Sequence, residues 1–99
     1  MPKLDLDAKY VDFIKDAAGR FLPDAEVFVY GSRTQGKALA YSDVDIALKS
    51  SEKIPIEKVL RLKAYFENST FPYKVDVIEL NNIKESFYRI IKDDLYRIN

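Results

Sequence analysis

The chain has 99 residues, 47% hydrophobic and 32% charged, which suits a single small soluble domain spanning 1–99 with no room for a second core. Its 16 basic and 16 acidic residues cancel, so the broad positive field of a nucleic-acid groove is missing and nucleic acid is a disfavoured partner. It contains neither cysteine nor histidine, which excludes disulfides, Ser-His-Asp and Cys-His nucleophiles and ordinary zinc sites; any metal must be held by oxygen, as magnesium, manganese or calcium are.

The apolar runs are too short to span a membrane, and Asp5 and Asp7 fall where a secretory signal needs an apolar core. The expectation is a cytoplasmic protein. From Asp7 to Leu22, Tyr10, Phe13, Ile14, Ala17, Ala18 and Phe21 recur at helical spacing, and Pro23-Asp24 ends the pattern. Glu26 to Tyr30 is β-branched and aromatic, a buried strand that runs into Gly31-Ser32. Ser32 to Leu39 reads as a short helix or helical turn. From Asp43 to Leu48 the pattern alternates, with Val44, Ile46 and Leu48 on one face and Asp43, Asp45 and Ala47 on the other.

After a polar turn at 50–53, Pro55 suits the first position of a helix whose face is Ile56, Val59, Leu60, Lys63 and Phe66. Lys74 to Leu80 makes a third strand. Asn82 and Glu85 resemble a capping box for a last helix with a stripe of Ile83, Phe87, Ile90, Ile91, Leu95 and Ile98. The predicted class is α+β: a small mixed sheet of about three or more strands with helices packed on it.

Three features carry chemistry. Gly31-Ser32 ends a buried strand, where glycine allows a tight turn and free N–H groups suit a phosphate. The Ser32 hydroxyl adds a donor, Gly36 keeps the turn small, and Arg33 and Lys37 add positive charge. Asp43 and Asp45 lie on one face with Cα atoms ~6.6 Å apart, where their charges repel by roughly 2 kcal/mol at an effective dielectric near 20. A divalent cation reverses that sign. Asp76 interrupts the apolar run Val75 to Ile78, and beside the second strand it would join Asp43 and Asp45. Glu79 is a fallback of opposite parity, and pairing of Asp76 with Lys74 is the bland alternative. Gly31 to Lys37 also matches most of a P-loop, but Ala38 stands where the metal-binding Ser or Thr belongs. An RNA-binding sheet built on Phe28 and Tyr30 fails on neutral charge and on a strand that reads as buried.

Taken together, these features resemble the DNA polymerase beta-type nucleotidyltransferases, whose signature is Gly-Ser, about ten residues, Asp-x-Asp and a later carboxylate. Here ten residues separate Gly31-Ser32 from Asp43-Val44-Asp45, and Asp76 follows. The closer resemblance is to the minimal nucleotidyltransferases, antitoxins usually encoded beside a HEPN-domain toxin. It rests on Gly31-Ser32-Arg33-Thr34-Gln35-Gly36 and Ser42-Asp43-Val44-Asp45, with Thr34 where alanine is common.

The resemblance implies a nucleotidyltransferase-like fold and a protein adenylyltransferase of type VII-like antitoxin character. It would transfer AMP from ATP to a tyrosine hydroxyl of a HEPN toxin, within a hetero-oligomer. It also implies catalytic and metal-holding roles for Asp43, Asp45 and Asp76 with two Mg2+ ions (or Mn2+), and nucleotide contacts at Gly31, Ser32, Arg33, Gly36 and Ser42. The rival is a protein of the same fold that caps a toxin without turnover.

Overall fold

The structure, a computed structural model, describes residues 3–99. Helix α1, Ala8–Phe21, starts where the Asp7 carboxylate accepts from the Lys9 N–H (3.2 Å), and it ends as the Leu22 N–H bonds to the Ala18 carbonyl. Strand β1, Glu26–Tyr30, is followed by a 3-10 turn at Gly31–Arg33, strand β2 at Val44–Lys49, helix α2 at Ile56–Glu67 and strand β3 at Val75–Glu79. Helix α3 is Glu85–Ile91, and after a second 3-10 turn at Lys92–Asp94 comes a short strand β4, Tyr96–Arg97. The sheet order is β3-β2-β1-β4, with β2 and β3 parallel and the other pairs antiparallel. This is the expected architecture, a small mixed sheet of at least three strands with helices packed on it, in a mixed α/β fold.

Strand parity divides the sheet into two faces. Val27, Val29, Val44, Ile46 and Leu48 are fully buried and pack with Ile14, Ala17 and Ala18 of α1 and Val59, Leu62 and Phe66 of α2. Phe13, Phe66, Phe71, Tyr10 and Tyr73 stack edge-on or tilted at centroid distances of 5.2–5.8 Å, closing the end of this layer. The opposite face has a smaller cluster of Tyr30, Ala47 and Ile91, edged by Phe28, Ile78, Leu80, Ile83 and Leu95.

Three local expectations are corrected and a fourth is narrowed. The last helix stops at Ile91 instead of running to Ile98, leaving Phe87 and Ile90 exposed. Asp93 and Asp94 are acids where a helix C-terminus favours cations, and the chain instead returns to the sheet edge. There the Asn99 side chain accepts from the Val27 N–H and donates to the Ala25 carbonyl (both 2.9 Å), and Arg97 pairs with Glu26 at 2.7 Å. The capping box does not form: Lys84 is the N-cap, and Asn82 instead donates to the Glu79 carboxylate at 3.1 Å. In α2 the core takes Val59, Leu62 and Phe66, while Ile56 and Leu60 are exposed, because the helix is rotated to face α1 and the sheet. Finally, of the short helix or helical turn expected over Ser32 to Leu39, the chain forms the turn, three 3-10 residues at Gly31–Arg33, and then runs irregularly to β2.

Candidate active site

The registers set the site. Asp45 pairs with Asp76 across the parallel ladder and with Tyr30 across the antiparallel one, so these side chains form one row on the α3 side of the sheet. Asp43 shares their parity but lies just ahead of β2, where no ladder pair holds it. The neighbouring Val44 N–H bonds to the Lys74 carbonyl at 2.9 Å, extending the β2–β3 pairing to the threshold of Asp43. Glu79 pairs with Leu48 and faces the other way, so the parity argument for Asp76 holds. No ion pair joins Asp76 to Lys74 among the described residues.

Gly31 follows Tyr30 with φ of 78°, a conformation that favours glycine. Its α-carbon lies against the Asp45 carboxylate, so closely that an added Cβ would collide with Oδ2. The turn beyond is held by the Thr34 N–H and hydroxyl, both bonded to the Gly31 carbonyl (3.0 and 3.2 Å). The Gln35 and Lys37 N–H groups both reach the Ser32 carbonyl (3.4 and 3.2 Å), and Gly36 supplies the second positive φ, 70°. Because the chain makes a 3-10 turn here and no α-helix, a macrodipole contributes nothing at Gly31-Ser32. What the turn offers is local: main-chain N–H groups, a half-buried Ser32 and close access to Asp45.

Ser42 and Arg33 are used differently from a free phosphate ligand. The Ser42 hydroxyl accepts from the Leu39 N–H (2.8 Å), closing the loop ahead of Asp43. Arg33 is buried; it donates to the Asp5 carbonyl (3.2 Å) and the Ser42 carbonyl (2.8 Å), and its guanidinium lies 4.4 Å from the centre of the Tyr73 ring.

The row is electrostatically tense. Burial pushes the Asp45 carboxyl above its ordinary range, and the charges of Asp76 and Asp43 push it further. Burial, then Asp45 and Asp76, raise the Tyr30 hydroxyl from 10.0 to about 12. Every ion pair among the described residues lies elsewhere, at Asp16, Glu85 and Glu26. The acidic row is therefore uncompensated, which fits a bound divalent cation. Among the described residues no three acidic side chains form a ready-made metal cage, so the arrangement is a set of mutually repelling neighbours rather than a closed ligand shell. A cavity of about 420 Å³ opens beside Asp76, lined also by Lys63, Glu67, Phe71, Tyr73 and Lys74.

The structure thus brings Asp45, Asp76 and Gly31 into one place, with Asp43 near enough to repel Asp45. Gly36 lies at the exposed far end of the turn. Sequence reasoning missed Tyr30 as a site residue. Its position immediately before Gly31 was visible, but the pairing opposite Asp45 was not.

A strand running into a Gly-Ser turn, an Asp-x-Asp at the start of its antiparallel neighbour and a third aspartate on the next strand define a nucleotidyltransferase. Residues 24–96 match the family described as polymerase beta nucleotidyltransferase, and the chain belongs to it. The chain is 34% identical over 90 residues to the probable protein adenylyltransferase MntA of Haemophilus influenzae, covering 91% of this chain and 79% of that one. The resemblance to the minimal nucleotidyltransferases therefore holds. In fold it is similar to a toxin–antitoxin complex solved with AMP-PNP (TM-score 0.76, 18% identity, 90% and 72% of the two chains). It is also similar to a Shewanella oneidensis complex of a tri-AMPylated HEPN toxin with an MNT antitoxin (TM-score 0.68, 16% identity, 90% and 68%). Among the described residues no helix is long and apolar enough to cross a membrane.

Proposed function

We propose that this protein is a protein adenylyltransferase that silences a HEPN-domain toxin by transferring AMP from ATP to a tyrosine hydroxyl, the span 1–99 acting as one catalytic module in the cytoplasm. The observation that carries this reading is the pairing of Asp45 with Asp76 beside the Gly31 turn, an uncompensated acidic row at a backbone able to approach phosphate. The likeness to MntA and to antitoxins solved with their toxins supports the choice of acceptor and partner.

In this mechanism the triphosphate lies along Gly31 and Ser32, whose main-chain N–H groups and hydroxyl donate to phosphate oxygens. Asp43, Asp45 and Asp76 would hold Mg2+ as two ions, with Mn2+ as a substitute. When bound, the cations lower the acceptor hydroxyl's pKa and neutralise charge on the departing pyrophosphate. The acceptor oxygen attacks the α-phosphorus, a new P–O bond forms, and the bond to the β-phosphate oxygen breaks. Asp76, exposed where Asp45 is half-buried, takes the hydroxyl proton directly or through water. The chain's work is chiefly alignment, holding donor and acceptor in line.

The test is incubation with labelled ATP, Mg2+ and the toxin encoded beside it, followed by mass spectrometry. The expected result is AMP on a toxin tyrosine, lost in Asp43→Asn and Asp45→Asn. Toxin neutralised with no transfer, by wild type and both variants alike, would establish a stoichiometric cap instead.

A further inference from the structure

Arg33 stands apart from the other charged residues. With Thr34 it makes up the buried polar side chains of the described core, and of the two it alone is charged, at 5% exposure. Burying a guanidinium is costly unless its donors and charge are satisfied. Here the satisfaction comes from main chain and an aromatic face: no carboxylate pairs with it, and among the described residues its Nε has no partner. A side chain kept only to fill space would be better replaced by an apolar one.

The contacts are distributed across three segments. Nη1 holds the carbonyl of Asp5 ahead of α1, Nη2 holds the carbonyl of Ser42, and the guanidinium plane covers Tyr73. Ser42 immediately precedes Asp43, and Tyr73 lies three residues before Asp76. The ladder already fixes Asp45 against Asp76, but Asp43 lies outside it. Its main chain is held by the Val44 N–H on the Lys74 carbonyl on one side and by Arg33 on the Ser42 carbonyl on the other. The planar fork suits this task, since one lysine ammonium cannot hold two carbonyls and stack on a ring at once.

We infer that Arg33 is a positioning residue: it fixes the main chain at Asp43 beside Asp45 and Asp76, the carboxylates that would hold the cations, and it does not contact the nucleotide. This rests on the reading of those aspartates as cation ligands. Residues that orient ligands from behind commonly control affinity by about ten- to a hundredfold.

The experiment titrates Mn2+ into the full chain, followed by electron paramagnetic resonance of the free ion. Transfer kinetics are measured in parallel on Arg33→Lys, Tyr73→Leu and Tyr73→Phe. Arg33→Lys should bind Mn2+ about tenfold more weakly and lose kcat, with KM for ATP unchanged. Tyr73→Leu should do the same to a smaller extent, and Tyr73→Phe, which keeps the ring, should behave as wild type. A raised KM for ATP with normal Mn2+ binding makes Arg33 a phosphate ligand and overturns the inference. Normal binding and normal turnover per folded molecule make it purely structural and overturn the inference equally. Should Arg33→Lys fail to fold, the Tyr73 pair decides: Mn2+ binding unchanged in Tyr73→Leu overturns the proposal. If wild type itself binds no Mn2+, the carboxylate reading falls first and takes this inference with it.

Discussion

The two faces of one sheet obey different rules. On the α1–α2 face, Val27, Val29, Val44, Ile46 and Leu48 are sealed under two helices. On the other face, β1, β2 and β3 carry the row of Tyr30, half-buried Asp45 and exposed Asp76, where a smaller cluster includes only Ile91 of the short helix α3 as a buried member. Consecutive residues of β2 alternate between the two environments, so a one-residue step separates hydrophobic stabilisation from like-charge repulsion. Most of the buried core lies on one side. The proposed chemistry lies on the other, where the acidic row costs stability that the larger core offsets.

Neutralising the acidic row should have the greatest consequence for activity. Asp43→Asn and Asp45→Asn should each lower transfer on the order of a thousandfold, the scale of several kcal/mol of lost charge stabilisation. Yet Asp45→Asn should raise Tm in metal-free buffer near neutral pH. The sign follows from the raised Asp45 carboxyl: above the ordinary carboxylate range the folded chain holds a proton more tightly than the unfolded one. Stability therefore falls as pH rises through that window. Thermal melts with and without Mg2+ check both halves, and a drop in Tm for Asp45→Asn would contradict the division of labour.

Ile46→Ala, one residue away on the sealed face, should have the opposite profile. It should cost about 2–5 kcal/mol in denaturant unfolding, with kcat per folded molecule intact.

Gly31→Ala sharpens the boundary between the faces. A left-handed alanine costs about 1–2 kcal/mol, and its methyl would strike the Asp45 carboxylate. Displacing that group should slow transfer on the order of a hundredfold. Gly36 has the same backbone sign but open space around it, so Gly36→Ala should show the strain of about 1–2 kcal/mol with a far smaller kinetic effect. Parallel kinetics and urea melts of the two variants test the contrast.

A further effect is confined to alkaline pH. Tyr30 ionises at about 12 in the folded chain against an ordinary 10.0, so it contributes stability that is whole below pH 10 and declines toward 12. Tyr30→Phe should flatten that part of the stability–pH curve, measured by circular dichroism.

Much of this was legible in the chain. The strict alternation from Val44 to Leu48 put Asp43 and Asp45 on one face, and the parity of Val75 to Glu79 favoured Asp76 over Glu79; the ladders agree. The Glu26 to Tyr30 strand and the first helix also matched, because β-branched runs and long amphipathic stripes are strong local signals. The C-terminal segment was not legible. Ile83 to Ile98 has a helical stripe, but the return of Tyr96 to Val29 and the anchoring by Asn99 depend on partners some seventy residues distant. Leu62 in place of Leu60 was equally hidden, since rotation of α2 is chosen by packing against α1.

The linear order of residues determined which side chains share a face and which turn demands glycine, because strand parity and backbone sterics are local. Only the tertiary structure decided that Tyr30 sits across from Asp45, that Arg33 is buried between Asp5, Ser42 and Tyr73, and that β4 closes the sheet. Strand pairing and the burial of a cation are settled by residues far apart in the chain, and their energies exist only once the fold has brought them together.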